Sequence, residues 1–430
     1  MAKVAWTRWL WLAALVVGPP ASAQLALPSA GGLVQDVTQA VPALPATLDR
    51  SFQQAQGDLQ RLRRQRLDAL LRARPRELDR DADGAIVVRG QIVALAPGPA
   101  ALQAAQTAGF VVGEQRGFDA LGLRVVVLHA PPGMSTQRAM QRLRQLDPQG
   151  EYVYNHLYSE SATRLPAATP ASPAPAATDA AAGFRVGLID SGVDAAHPAL
   201  AGVDVQRWGC DGRALAQTHG TAVASLLAGR AVAHGPIART LYAADLYCGT
   251  PTDGAAVELV AALAWMAQQD VAVINISLIG APNRLLERAV AALVARGHLL
   301  VAAVGNDGPA APPLYPAAYP GVIGVTALDT RRRVLPEAGR GTQVAFAAIG
   351  EVIAAAPQGQ WKQQRGTSFA APLVARIAAQ SLSKPDPQAA AMLRAQLQRR
   401  ARDLGASGVD PVYGNGVLGE DLPLQRAPGG

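Results

Sequence analysis

The sequence predicts an α/β protein, a mainly parallel, doubly wound sheet with helices on both faces, preceded by a small α+β domain. Two patterns carry this expectation. From residue 184 onward, near-continuous apolar runs alternate with helical stretches, as strands buried on both faces require. Ahead of them, residues 85–160 pack strand-type and helix-type segments into a much shorter span, and a stretch rich in Ala, Pro, Ser and Thr separates the two regions.

The chain of 430 residues is 50% hydrophobic and 17% charged, enough to bury more than one core. Its net charge of +7 is carried almost wholly by arginine, with lysine only at Lys3, Lys362 and Lys384. No Lys/Arg run is interleaved with aromatics, so the charge is a composition bias and no nucleic-acid partner is expected.

Residues 1–23 join a basic start (Lys3, Arg8) to an apolar run from Trp9 to Val17 and to Ala21-Ser22-Ala23, the pattern of a secretory signal peptide. No later apolar run reaches the length a membrane span needs, so the mature chain is expected to be exported, periplasmic or secreted. In an oxidising compartment Cys210 and Cys248 can form a disulfide, and two buried free thiols are the alternative.

Residues 24–84 form an N-terminal segment: an Ala/Pro/Leu-rich lead-in, then a charged amphipathic helix with Leu59, Leu62, Leu67, Leu70 and Leu71 at helical spacing. Asp79-Arg80-Asp81-Ala82-Asp83-Gly84 imitates the opening of a calcium loop. The twelfth position of that loop is Gly90 rather than a bidentate glutamate, so an acidic turn is expected. Residues 85–160 follow the order βαββαβ and hold no catalytic constellation, which suits a binding or inhibitory module. Residues 161–182 read as an exposed linker, residues 183–423 as the main α/β domain and 424–430 as a tail.

Within 183–423, strands are expected at residues 184–189, 241–246, 271–277, 299–304 and 322–327. Helices are expected near 219–229, 254–268, 284–296, 368–382 and 387–402. Functional residues should gather at the strands' carboxyl ends. Asp190 ends the first strand. His219 opens a helix of small residues, and Ser368 follows the turn-permitting Gly366 at the start of another, where helix amides favour a developing negative charge. Two of them have an ordinary alternative: turn residue for the aspartate, helix cap for the serine. No clustered Cys/His spacing suggests a metal, and no cofactor is expected.

Taken together, the order Asp190, His219, Ser368 and the contexts Asp190-Ser191-Gly192, His219-Gly220-Thr221 and Gly366-Thr367-Ser368-Phe369-Ala370-Ala371-Pro372 resemble the subtilisin-like serine proteases, or subtilases. This residue order is the known one of subtilisin. The resemblance implies a subtilisin-like fold and a serine endopeptidase acting on protein or peptide substrates through an acyl-enzyme. Ser368 is then the nucleophile, His219 the base and Asp190 its orienting carboxylate. It further implies that Asn306 serves the oxyanion, that Ser277-Leu278-Ile279-Gly280 pairs with substrate backbone, and that Ala303, Val304 and Gly305 also bind substrate.

This chain departs from the family in two places that bear on function. Ile279 replaces the usual glycine, which predicts a narrowed pocket and a preference for small residues before the cut. The segment 228–236 is shorter than the corresponding calcium loop and lacks its carboxylates, so no metal is expected there. Residues 85–160 resemble the family's propeptide, an intramolecular inhibitor, and a retained accessory domain is equally compatible with the spacing. A catalytically silent protein-binding module is the alternative for the whole chain.

Overall fold

The computed structural model describes residues 57, 61, 64–65, 67–160, 183–232, 236–249 and 254–424. The signal-peptide reading, the lead-in and the linker at 161–182 lie outside the described residues. Residues 67–73 are helical, as the leucine spacing predicts.

The N-terminal domain begins with β1 (Leu78–Arg80) and β2 (Ile86–Leu95), followed by α1 (Pro99–Thr107), β3 (Val111–Phe118), β4 (Leu123–His129), α2 (Thr136–Leu146) and β5 (Glu151–His156). From β2 on, this is the expected βαββαβ order. All pairs are antiparallel, with β1 and β5 both lying on β2. Helices α1 and α2 close one face over Ile92, Val126, Leu128, Met140 and Leu143. The acidic segment turns after β1, and the carboxylates of Asp79 and Asp81 are spent internally. Asp81 Oδ1 accepts the amides of Asp83 and Ala85, while Asp79 accepts the Thr136 hydroxyl.

A two-residue strand, β6 (Ser159–Glu160), precedes the main sheet. The sheet is built from β7 (Phe184–Asp190), β8 (Asp204–Trp208), β9 (Ala238–Asp245), β10 (Val273–Ile276), β12 (Leu299–Ala303), β13 (Ile323–Leu328) and β14 (Phe346–Ile349). A short strand, β11 (Leu278–Ile279), leaves the end of β10. The order across the sheet is β14-β13-β12-β10-β7-β9-β8, and every pair is parallel. From β7 the chain goes to the edge strand β8, returns to β9 beside β7, and then crosses to β10 on the other side of β7 and winds outward to β14. The carboxyl end of β7 is therefore the switch point where doubly wound sheets place their sites.

Helices α3 (Thr218–Leu227), α4 (Ala256–Gln268), α5 (Arg284–Ala295), α6 (Thr367–Ala379) and α7 (Pro387–Arg400) start and stop within three residues of the ranges read from the sequence. The antiparallel hairpin β15 (Glu351–Ala356) and β16 (Gln360–Arg365) delivers the chain to α6. All thirteen residues of α6 are buried, including Arg376. Among the described residues the Arg376 guanidinium has no carboxylate partner. It donates instead to the carbonyls of Leu226, Gly229 and Pro236, tying α6 to the end of α3, and burial pulls its pKa down to about 10.

The two domains share a core. Val93, Leu95, Phe118, Leu121, Val125 and Val127 of the N-terminal sheet pack with residues of α4 and α5. Polar links flank this contact. Arg116 pairs with Glu258 at 2.8 Å and Arg288 with Glu151 at 2.6 Å. The capping amide of Asn283 donates to the Tyr154 carbonyl and reaches His156 Nδ1 at 3.0 Å. No helix among the described residues is long and apolar enough to cross a membrane.

Candidate active site

Asp190, at the carboxyl end of β7, and His219, in the first turn of α3, are joined by a hydrogen bond of 2.7 Å between Asp190 Oδ1 and His219 Nδ1. Both are buried, the aspartate completely. The glycines beside them explain why the two elements can meet. A Cβ on Gly220 would stand 2.0 Å from the Ser191 carbonyl oxygen, and one on Gly192 would stand 1.9 Å from that of Leu215. The Gly220 amide then donates to Ser191 Oγ and the Asp194 amide to Thr221 Oγ1, bolting the end of β7 to the start of α3.

Ser368 is the second residue of α6, after Gly366 at φ 138°. Its hydroxyl donates to the Ser277 carbonyl at 3.2 Å, and the ring of its neighbour Phe369 lies 5.4 Å from that of His219. His219 Nε2 is buried without a hydrogen-bond partner. Serine and histidine thus stand on adjoining elements without an engaged bond among the described residues.

Pro372 lies inside α6, beyond its first turn. The position has a consequence: Pro372 has no N–H to give the carbonyl four residues back, which is that of Ser368. That carbonyl instead accepts the Ser277 hydroxyl at 2.9 Å, and Ser277 in turn accepts from Asn275 Nδ2 at 2.9 Å. Neither the Ser277 hydroxyl nor Asn275 was singled out for this role from sequence, because the bond partner lies ninety-one residues away.

Asn306 lies beside the helix start, where its Oδ1 accepts the Thr367 amide at 3.1 Å and the Gly305 amide donates to Thr367 Oγ1. The Oδ1 bond fixes which end of the amide is turned away from α6. Ala303 and Val304 bury their side chains in the core, so their contribution to the site is backbone. Ile279 comes close to Gly305, whose added Cβ would stand 3.7 Å from two Ile279 methyls. Gly280 bridges Tyr315 through two backbone hydrogen bonds, and the Tyr315-Pro316 bond is cis. Cys210 and Cys248 form a disulfide that spans the segment holding His219.

A strand that follows the N-terminal sheet lies along β11. Strand β6 pairs antiparallel with β11, Glu160 opposite Leu278 and Ser159 opposite Ile279. Just before it, the Tyr158 amide donates to the Gly254 carbonyl and Tyr247 Oη donates to the Tyr158 carbonyl. The Tyr158 side chain is wholly buried, its hydroxyl on the Ala281 carbonyl.

Glu160 Oε1 lies 3.9 Å from His219 Nδ1. Among the described residues, Glu160, Asp190 and His219 are the group with ligand-type atoms within 4.8 Å of one another. The Asp190–His219 bond already engages Nδ1, and the second carboxylate, that of Glu160, faces the same imidazole nitrogen. Burial disfavours the charged form of His219, but the Asp190 carboxylate, with a smaller contribution from Glu160, outweighs it and holds the imidazole up at about 8.

Comparison with known proteins agrees with this geometry. The model of the Subtilase family matches residues 181–416. Subtilisin DY of Bacillus licheniformis is 31% identical over 260 residues, covering 57% of this chain and 92% of that protein. Subtilisin E of Bacillus subtilis is 29% identical over 306 residues, covering 67% and 79%. Among solved structures, fervidolysin from Fervidobacterium pennivorans superimposes with a TM-score of 0.61 at 18% identity, covering 79% of this chain and 61% of that one, which speaks to fold alone. With a family match over more than half its length and a buried Asp–His pair at the switch point of a parallel sheet, the chain belongs to the subtilase family and is a subtilisin-like serine protease.

Proposed function

We propose that this chain is an exported serine endopeptidase made as an autoinhibited precursor, with Ser368 as nucleophile, His219 as general base, Asp190 as its orienting carboxylate and Asn306 as an oxyanion donor. The observation that carries the reading is the buried 2.7 Å bond between Asp190 Oδ1 and His219 Nδ1. It commits Nδ1 as the protonated nitrogen and leaves the Nε2 lone pair to take the serine proton on attack and to return it to the departing amine. The negative oxygen of the tetrahedral adduct would then draw on the Ser368 amide at the helix start and the Asn306 amide group.

The cleft-filling contacts of residues 157–160 support an inhibitory role for the domain at 85–160. A peptide paired with β11 by main-chain bonds lies as a substrate would, so the domain and a substrate compete for one edge. Backbone pairing reads few side chains, which favours a broad range of protein or peptide substrates. The Ile279 side chain near Gly305 favours small residues before the cut. Export is supported by the basic-apolar-small pattern of residues 1–23 and by the Cys210–Cys248 disulfide, a bond that persists in oxidising compartments.

The test is a fluorophosphonate probe applied to the purified chain, together with mass spectrometry of its N-terminus. Labelling and loss of the N-terminal domain are expected in the native chain, and neither in Ser368→Ala. A native chain that is not labelled at any pH and stays intact would favour the silent binding module instead.

A further inference from the structure

We infer that Glu160, carried into the cleft by β6, is an inhibitory residue that acts on the catalytic histidine by charge, so that the precursor restrains its own cleavage until its surroundings become alkaline. The inference rests on the triad and on the inhibitory domain proposed above, and adds how the occupied cleft is kept quiet. Its starting point is a cluster that a protease triad does not need. The Asp–His pair is complete at 2.7 Å, yet a second carboxylate, from another domain, stands 3.9 Å from the same imidazole nitrogen. The distance is too long for a hydrogen bond, so the interaction is electrostatic.

The two carboxylates differ in permanence. Asp190 belongs to β7 and stays with the enzyme, which has to work in its presence. Glu160 is there only while β6 is paired with β11. The charged groups facing the ring are Asp190 from β7 and Glu160 from β6. Helix α6 presents the uncharged Phe369 ring, and the rim presents Tyr247, whose hydroxyl burial pushes well above the usual tyrosine range, so it stays neutral.

The consequence follows from proton bookkeeping at the ring. An imidazolium carries protons on both nitrogens: Nδ1–H points at Asp190, and Nε2–H leaves no lone pair to accept the proton of Ser368. In that form Ser368 keeps its hydrogen bond to the Ser277 carbonyl and the peptide in the cleft is not attacked. An imidazole held at about 8 is mostly in this form at neutral pH. Once the strand is cut and leaves, the extra negative charge leaves with it, the imidazole pKa falls, and the histidine spends more of its time in the neutral form that can accept a proton. The same protease therefore works at lower pH on other chains than on its own.

The experiment is the pH dependence of self-processing in the full chain, compared with Glu160→Gln and Glu160→Asp. Glu160 is 40% exposed on its side chain, so water screens much of its field. At 3.9 Å and a near-aqueous dielectric, the expected effect is a midpoint lower by about 0.5–1 pH unit in Glu160→Gln, which is roughly 3- to 10-fold faster processing below the midpoint. Glu160→Asp, which keeps the charge, should lie nearer the native midpoint.

A second reading uses the uncleavable Ser368→Ala chain, in which the His219 titration followed by nitrogen NMR should shift down by the same amount when Glu160→Gln is added. Equal midpoints for the native chain and Glu160→Gln, or an unmoved histidine titration, would overturn the inference while leaving the triad intact. A native chain that neither labels nor processes at any pH would overturn the triad reading and this inference with it.

Discussion

The disulfide is the feature whose contribution is most directly worked out, because it closes a long loop around a candidate catalytic residue. Cys210 and Cys248 are 38 residues apart, and the loop between them carries α3 with His219 and the whole of β9. Loop-closure entropy for that length gives about 4 kcal/mol of stabilisation through the unfolded chain. Against this, Cys210 and Cys248 have φ of 55° and 44°, left-handed values that cost an L-residue about 1 kcal/mol or more each.

If both turns relax when the bridge is absent, roughly 2 kcal/mol is recovered. Replacing both cysteines by serine should then cost about 2–4 kcal/mol, or a Tm lower by roughly 4–16 °C in a domain of this size. The assay is thermal unfolding in the Ser368→Ala background, so that self-digestion does not enter, with and without reductant. Reductant should lower the Tm of the bridged chain to that of the double-serine chain and leave the latter unmoved. An unchanged Tm in the double-serine chain would refute the argument. The Asp190–His219 bond is held separately by the Gly220–Ser191 contact, so labelling of Ser368 at 25 °C should survive.

Three further outcomes are expected. Asn306→Ala should cut turnover about 100- to 1,000-fold with little change in KM, a range known for the corresponding donor in subtilisin rather than worked out from this chain; an equal loss through KM alone would argue for a binding role. Ile279→Gly should open the space beside Gly305 and raise cleavage after Phe or Tyr in a peptide library, and an unchanged profile would show that Ile279 does not set the pocket. Arg376→Met strands the carbonyls of Leu226, Gly229 and Pro236 but relieves a buried charge; the orphaned acceptors should win, at about 3 kcal/mol and a Tm lower by roughly 6–12 °C. A higher Tm would mean that burying the guanidinium costs more than its three bonds return.

How much of this was legible in the sequence depends on how many faces of an element are buried. Strands β7, β9, β10, β12 and β13 are covered on both sides and announce themselves as apolar runs. Strand β8 sits at the sheet edge with mostly exposed residues, and β16 reads Gln-Trp-Lys-Gln-Gln-Arg; neither has the apolar pattern by which strands are recognised. Strand β6 has no local signal at all, since Ser159-Glu160 is extended only because β11 offers an edge to pair with. In the site, residues fixed by their own neighbours were readable: Asp190 before Ser191-Gly192, His219 before Gly220, Ser368 after Gly366. Contacts made across the fold were not. The Ser277 hydroxyl on the Ser368 carbonyl and Glu160 beside His219 depend on elements brought together by topology, with no spacing to betray them.

That division also bears on where control of the enzyme can reside. The proposed nucleophile is carried by a helix buried along all thirteen of its residues, and the proposed base by a helix whose first turn fits a glycine-sized gap against the end of β7. Shifting either by a fraction of an ångström would disturb packing across the sheet, so triad geometry is a poor variable for a switch. What can change at little cost is the peptide on β11, which is held by a two-residue pairing and a few flanking contacts. A precursor that must not digest itself prematurely is therefore expected to act through the charge and fit of that peptide, and the residue that brings a carboxylate to within 3.9 Å of the base is the one placed to do so.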